Sequence, residues 1–126
     1  MTQEDRQILL KDLCARVPYG LKINENTQGD FTVIGLTTER VFTTCEIEGC
    51  HNDFPIECVK PYLFPLSNMT EKQKNEYQYI TERWMYDPAY SISDSIDWLN
   101  KNHFDYRGLI EKGLAIDATG LNIYRQ

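Results

Sequence analysis

Residues 31–36 read Phe31-Thr-Val-Ile-Gly-Leu36, an apolar strand pattern between two polar connections, and this stretch decides the fold. The same pattern, with a period of two, precedes it in residues 21–24 and follows it in residues 41–47 and 54–59. We therefore predict four short antiparallel strands within residues 21–59. Four short strands cannot bury both faces of a sheet alone, so a small four-stranded sheet or open barrel needs helices packed against it.

A helical pattern precedes the strands. Residues 1–20 predict an N-terminal helix that turns Leu9 and Leu13 toward the sheet. Asp12 and Arg16 are expected mostly on the solvent side of this helix, where charged side chains are ordinarily found. The helix would thus provide part of the cover that the strands require.

The C-terminal half is predicted to be mainly helical. Residues 60–69 contain Pro61 and Pro65 and are expected to form an extended crossover. Residues 70–126 are expected to form two to three helices, with fraying at the very end. The sequence contains no internal repeat and no linker, so an α+β fold in a single domain, residues 1–126, is predicted.

Capping signals mark the starts of two helices. Thr2 is followed by Asp5, and Thr70 is followed by Gln73, which is the spacing of a capping box. A third helix, beginning after Ser91 or Ser93, would turn Ile96 toward the core.

The composition is that of an ordinary globular chain. The 126 residues carry a formal net charge of −6, and 41% are hydrophobic. No apolar stretch approaches the roughly 20 residues that span a bilayer, and no signal peptide is recognised, so we expect a cytoplasmic protein with no membrane partner. The acidic excess makes nucleic acid an improbable partner, and no glycine-rich phosphate loop occurs, so no cofactor is predicted.

Cys45, Cys50, His51 and Cys58 are residue types that bind zinc, and they lie close together in the sequence. Their spacing, C-x4-C-H-x6-C, is only a loose match to the paired ligands of structural zinc sites. A turn centred near His51 and Asn52 would place Cys45 opposite Cys58 and keep the ligands at the tip away from those in the strands. We predict buried free thiols and no metal site, with Cys45–Cys58 as the first candidate for a disulfide under oxidising conditions.

The same hairpin predicts an acidic patch on its other face. Glu46 would lie opposite Glu57, with Glu48 and Asp53 nearby. Facing carboxylates could share a proton as an acid/base pair or bind a cation. The alternative is a solvated acidic surface without a chemical role.

His103 lies in a second group of chemically capable residues. Its sequence neighbours Asp97, Asp105 and Arg107, with Cys14 or Ser95, could provide a nucleophile, a base and an orienting group. No G-x-S-x-G or H-E-x-x-H motif accompanies them. The alternative is a structural histidine near a helix C-terminus, where the imidazole binds backbone carbonyls and complements the helix dipole.

Aromatic residues are concentrated in the C-terminal half. Helical spacing turns some of them away from any single core contact, and Tyr79, Tyr86, Tyr90 and Trp98 are the predicted interface residues. The alternative is that the surrounding elements bury all of them.

Three blocks of the sequence resemble a family of small uncharacterised intracellular proteins from gut Bacteroidales genomes and their phages and mobile elements. The blocks span residues 10–20, 59–71 and 97–116, and the last begins Asp97-Trp-Leu-Asn-Lys-Asn-His103. The strand region between the first two blocks departs most from the family. The resemblance implies a small accessory protein and transfers no catalytic residues.

Two functions of different classes are compatible with these patterns. The first is a non-enzymatic interaction or accessory module that binds another protein through its aromatic side. The second is a small hydrolase or metal-dependent enzyme that uses the hairpin carboxylates or His103. We favour the interaction module.

Overall fold

The computed structural model describes residues 1–44, 51–86 and 92–124. Its helices are α1 (Gln3–Arg16), α2 (Glu71–Tyr86) and α3 (Ile92–Lys101). Its strands are β1 (Lys22–Glu25), β2 (Gly29–Leu36), β3 (Arg40–Thr44), β4 (His51–Pro55), β5 (Val59–Pro65), β6 (Phe104–Asp105) and β7 (Ile116–Asp117). The predicted α+β class and the N-terminal helix are confirmed.

The strands form one open mixed sheet, with the order β4-β3-β2-β1-β5-β6 and with β7 also paired to β5. Strands β1 to β5 pair antiparallel, whereas β6 and β7 run parallel to β5. The predicted four-stranded sheet or barrel is therefore too small, because three further strands extend it. Most of the predicted crossover, residues 60–69, is strand β5 in the interior of this sheet.

Strand β5 contains two prolines although it lies in the interior of the sheet. Pro61 lies opposite Ile23 of β1, and Pro65 ends the strand opposite Asp105 of β6. Leu63 between them is fully buried. The prolines suggested an extended crossover, but the buried apolar side chains between them hold the segment in the sheet as a strand.

The hairpin of β3 and β4 has a different register from the predicted one. Thr44 pairs with His51 and Thr43 pairs with Asn52, so His51 and Asn52 are strand residues and the predicted turn centred on them is wrong. Glu57 and Cys58 follow β4 in a 3-10 turn, Ile56–Cys58, which begins directly after Pro55. The predicted pairings of Cys45 with Cys58 and of Glu46 with Glu57 assumed the turn at His51 and Asn52, and Cys45 and Glu46 lie outside the described residues.

The core lies between α1 and the sheet. It is formed by apolar side chains of α1, of strands β1 to β5 with the residues adjoining them, and of the segment after β6: Leu9, Leu13, Leu21, Ile23, Val33, Val41, Phe54, Ile56, Val59, Leu63, Leu109, Leu114 and Ala115. The Thr2 cap is confirmed, since its hydroxyl accepts the Asp5 N–H at 3.0 Å. A 3-10 turn, Val17–Tyr19, follows α1, and Gly20 with φ of 69° redirects the chain into β1.

Helix α2 lies outside this core and packs on α3. Its predicted capping box is confirmed, because Thr70 N donates to Gln73 Oε1 at 2.9 Å and Gln73 N to Thr70 Oγ1 at 3.1 Å. None of the α2 side chains that the structure describes is buried.

On α3, Ser95 and Leu99 are buried, but Ile96 is 39% exposed, contrary to the prediction. After α3, the described residues 104–112 form β6 and a turn, so α2 and α3 are the helices found where two to three were predicted.

The C-terminal segment ties β1 to β5 through one hydroxyl. Tyr124 Oη accepts the Lys22 N–H at 2.9 Å and donates to the Tyr62 carbonyl at 2.8 Å. Lys22 and Tyr62 occupy the position next to the Ile23–Pro61 pair, where the paired part of β1 and β5 ends. The Tyr124 hydroxyl therefore binds a backbone N–H of β1 and a backbone carbonyl of β5 that the two strands do not pair directly. Burial accordingly raises the pKa of Tyr124. The chain is therefore held against the sheet up to residue 124, contrary to the predicted fraying of the C-terminal end.

We expect Tyr124→Phe to lower the free energy of unfolding by about 1–3 kcal/mol, because the part-buried Lys22 N–H and Tyr62 carbonyl lose their partner while the ring remains. Urea denaturation measures the loss. Tyr86→Phe is the matched control: the Tyr86 side chain is 83% exposed, so removal of its solvent-exposed hydroxyl should leave the free energy of unfolding unchanged. Equal stability of Tyr124→Phe and the parent protein would contradict the structural role of this hydroxyl.

Candidate functional site

A buried ion cluster lies at the C-terminal end of α1. Asp12 and Arg16 are both fully buried, contrary to the predicted solvent-facing position. Arg16 Nε donates to Asp12 Oδ2 at 2.9 Å, and Arg16 Nη2 donates to the Phe104 carbonyl at 2.5 Å. Arg107 Nε reaches Asp12 Oδ1 at 3.2 Å from the other side. The single carboxylate of Asp12 thus lies between two guanidinium groups, which provides the pairing that a buried charge requires.

Tyr106 covers this cluster. Its ring lies 5.4 Å from Arg16 Cζ and 4.9 Å from Arg107 Cζ, within the range of a cation–π contact. Its hydroxyl donates to Asn100 Oδ1 of α3 at 2.9 Å. Through these contacts the cluster joins α1, α3 and β6. Asp12 and Arg16 have no exposed surface, so a substrate cannot reach these two side chains.

His103 begins the chain's return from α3 into the sheet. Its φ of 59° is in the left-handed region, and its carbonyl accepts the Phe64 N–H at 2.8 Å beside the β5–β6 pair. The imidazole is 6% exposed and stacks on the Tyr124 ring, with centroids 3.8 Å apart. The histidine therefore helps to hold the C-terminal segment against the sheet.

The predicted partners of His103 bind elsewhere. Asp105 accepts the backbone N–H groups of Leu109 and Ile110 at 3.0 and 2.9 Å, which shapes the turn after β6. Arg107 binds Asp12 in the ion cluster. Asp97 and Cys14 are exposed, and Ser95 is buried beside Thr81 of α2. These residues are not brought together with the imidazole as a nucleophile, base and orienting group.

His103 is held in its neutral form. Burial lowers its pKa to about 4, the positive charge of Arg16 acts in the same direction, and a hydrogen bond to the Tyr19 backbone opposes both. A neutral imidazole cannot complement a helix dipole through charge, so that part of the predicted structural role is wrong. The ring is held by its hydrogen bond to the Tyr19 backbone, as predicted for a structural histidine, and by stacking on Tyr124.

A cleft of about 520 Å³ opens beside His103. It is lined by the 3-10 turn after α1, the start of β1, strand β5, the start of α2, the end of α3 and the C-terminal segment. Lys22 and Lys101 contribute positive charge, and Phe64 and Tyr124 contribute aromatic surface. The described residues that line the cleft include no carboxylate.

The carboxylates of the predicted acidic patch are offset by arginines. Glu57 Oε1 lies 2.5 Å from Arg6 Nε, and Asp53 pairs with Arg40 across the hairpin. The bond from Arg6 is the main reason that the pKa of Glu57 is lowered, whereas a shared proton would require a raised pKa. Glu46 and Glu48 lie outside the described residues.

The cysteines that the structure describes are not buried. Cys14 and Cys58 are exposed free thiols, so the predicted burial of Cys58 is wrong because the 3-10 turn carries it out of the sheet. Cys45 and Cys50 lie outside the described residues. Within residues 1–44, 51–86 and 92–124, no three His, Cys, Asp or Glu side chains form a group that could hold a metal ion.

The predicted aromatic interface divides into two parts. Tyr79 and Tyr86 of α2 are 57% and 83% exposed. Trp98 instead stacks between Tyr77 and Phe104, with ring centroids 5.6 and 5.7 Å away. Trp98 therefore belongs to the packing of α2, α3 and β6, and its assignment to an interface is corrected. The fourth predicted residue, Tyr90, lies outside the described residues.

Sequence reasoning missed the Asp12–Arg16 cluster. The signal available was an acid and a base four residues apart beside Leu9 and Leu13, which is also the pattern of a surface pair. The partner that distinguishes the two cases, Arg107, is 95 residues from Asp12. Local spacing could therefore not reveal the burial.

Comparison of the chain with protein-family models, with curated proteins and with solved structures finds no match. Within the described residues, no helix combines the length and the apolar character needed to cross a membrane.

The lowered pKa of His103 predicts a defined pH dependence of stability. Its pKa is about 4 in the folded chain and ordinarily 6.5, so below pH 6.5 the unfolded state binds the proton more readily. Stability is fully present above this value and is lost as pH falls toward the folded pKa. We expect a loss of about 2 kcal/mol between pH 7.5 and pH 5 from this group.

Urea titrations of the parent protein and of His103→Asn at both pH values isolate this effect. Asparagine tolerates the left-handed backbone and does not titrate. The variant should lack about 2 kcal/mol of the parent protein's pH dependence over this interval. The same pH dependence in both proteins would show that the imidazole is not held neutral.

Proposed function

We propose that this protein is a non-enzymatic protein-interaction module that binds through the outer face of α2. The supporting observation is that α2 packs on α3 along one side and leaves tyrosines exposed on the other. Residues three and four positions apart share a helix face, and on α2 this outer stripe consists of Lys72, Glu76, Tyr79, Arg83 and Tyr86. Tyrosine and arginine are the residue types that contribute most to protein interfaces.

Part of the stripe is already ordered within one chain. Arg83 Cζ lies 4.9 Å from the centre of the Tyr79 ring, and its guanidinium donates to the Tyr79 hydroxyl. Such a contact limits the side-chain freedom that binding would otherwise remove. The stripe therefore offers a partly preorganised aromatic and charged surface.

The partner that best fits the stripe is the same stripe on a second copy. In an antiparallel pair of α2 helices centred on Tyr79, Lys72 of one chain lies beside Tyr86 of the other, and Glu76 lies beside Arg83. The first pair suits a cation–π contact, and the second suits an ion pair. A helix of 16 residues is about 24 Å long, so the contact is small and the dimer should be weak.

The cellular context is also part of the proposal. The resemblance of residues 10–20, 59–71 and 97–116 to proteins of gut Bacteroidales genomes and their mobile elements supports a cytoplasmic accessory role. Binding of another protein to the same stripe would compete with self-association.

The hydrolase or metal-dependent alternative is not adopted, because Asp53 and Glu57 are paired with arginines and Asp105 binds backbone N–H groups.

Sedimentation equilibrium across a concentration series tests the pairing. We expect reversible dimerisation of the parent protein, and weaker dimerisation of Glu76→Arg and of Arg83→Glu by about tenfold each, because like charges then face each other. The double variant Glu76→Arg/Arg83→Glu should recover dimerisation, since it restores opposite charges across the pair. Lys112→Glu, on an exposed turn away from α2, is the control for the change in net charge.

A monomer at every concentration would contradict self-pairing. So would a dimer whose strength is unchanged by either single substitution, because α2 would then not form its interface. Tyr79→Ser and Tyr86→Ser provide an independent check, since removal of the rings should weaken the dimer without reversing any charge.

A further inference from the structure

The cleft beside His103 carries positive charge, whereas the chain as a whole is acidic. The protein as a whole carries a formal charge of −6, yet the described residues lining this cleft include two lysines and no carboxylate. Lys22 lines the cleft and is half-buried, and its Nζ donates to Thr32 Oγ1 of β2 at 2.5 Å, so its positive charge is held beside the start of β1. Lys101 is exposed at the end of α3 and can turn its ammonium group toward a ligand.

The same cleft combines apolar surface with hydrogen-bonding capacity. Phe64 and Tyr124 pack with ring centroids 6.0 Å apart and provide an aromatic wall. His103 lies beside them, and its Nδ1 is buried with no hydrogen-bond partner among the described residues.

The size of the cleft limits what it can hold. Its volume of about 520 Å³ lies within the range typical of small-molecule sites. The lysines favour a negative group, and the aromatic wall favours a flat apolar one. A cation would find no carboxylate among the described lining residues to pair with.

We propose that this cleft is a binding site for a small aromatic anion, with its carboxylate or phosphate beside Lys101 and Lys22 and its ring against Phe64 and Tyr124. The C-terminal segment forms one wall, so the site depends on the tie between Tyr124 and the two strands. The site is independent of the outer stripe of α2.

Two-dimensional amide NMR of the full chain, titrated with benzoate, phenyl phosphate or benzamidine, tests the proposal. Benzamidine is the matched control because it has a similar size and ring and the opposite charge. We expect the amides of residues 101–104 and 123–124 to shift saturably with benzoate, phenyl phosphate or both, and not with benzamidine. A response to only one anion would identify the preferred negative group.

Substitutions assign the effect to the cleft. Lys101→Met should weaken anion binding by about tenfold, because it removes an accessible charge without adding a negative one. Lys112→Met, at an exposed lysine outside the cleft, should leave binding unchanged. The proposal is overturned if neither anion gives a saturable shift, if benzamidine binds as well as the anions, or if Lys101→Met binds them as tightly as the parent protein.

Discussion

The carboxylate of Asp12 is the point on which the rest of the structure depends. It accepts hydrogen bonds from Arg16 within α1 and from Arg107 beyond β6, while Arg16 also binds the Phe104 carbonyl. These bonds join the first helix to a segment near the end of the chain. Buried ions are costly to desolvate, so the cluster is stable only while all its partners are present, and loss of one leaves an uncompensated charge.

The position of the cleft follows from this constraint. Fixing Phe104 to α1 fixes the preceding His103, whose ring supports Tyr124 by stacking. Tyr124 in turn joins β1 to β5 where the antiparallel part of the sheet meets its parallel part. The cleft walls are therefore built from segments that are far apart in sequence, and the ion cluster and the tyrosine hydroxyl hold them together. Helix α2 makes none of these contacts, and Tyr79 and Tyr86 on its outer stripe are exposed.

The features that were predictable from sequence are those decided locally. The caps at Thr2 and Thr70 depend on residues three positions away, and their spacing identified both correctly. The hairpin register was not local in this sense, because the polar residues His51 and Asn52 are themselves typical of a turn, and only the pairing of Thr44 with His51 across the two strands shows that they belong to β4. Strand β5 was missed because proline usually argues against an interior strand.

The candidate sites were less predictable than the fold. The exposure of Tyr79 and Tyr86 followed from their angular position on α2, which helical spacing determines. Burial of Asp12 and the neutral state of His103 depend on side chains and backbone from distant segments, and spacing carries no information about those contacts. The same is true of the cleft, whose lining comes from both ends of the chain.

A double-mutant cycle of Asp12→Asn and Arg107→Met, followed by urea denaturation, tests the central role of the ion cluster most directly. We predict that Asp12→Asn lowers the free energy of unfolding by about 3–5 kcal/mol, because Arg16 stays buried without its counter-ion. The two substitutions should be coupled by about 1–3 kcal/mol, since both act on one contact. A cost for Asp12→Asn below about 1 kcal/mol, or strictly additive effects of the two substitutions, would contradict this account.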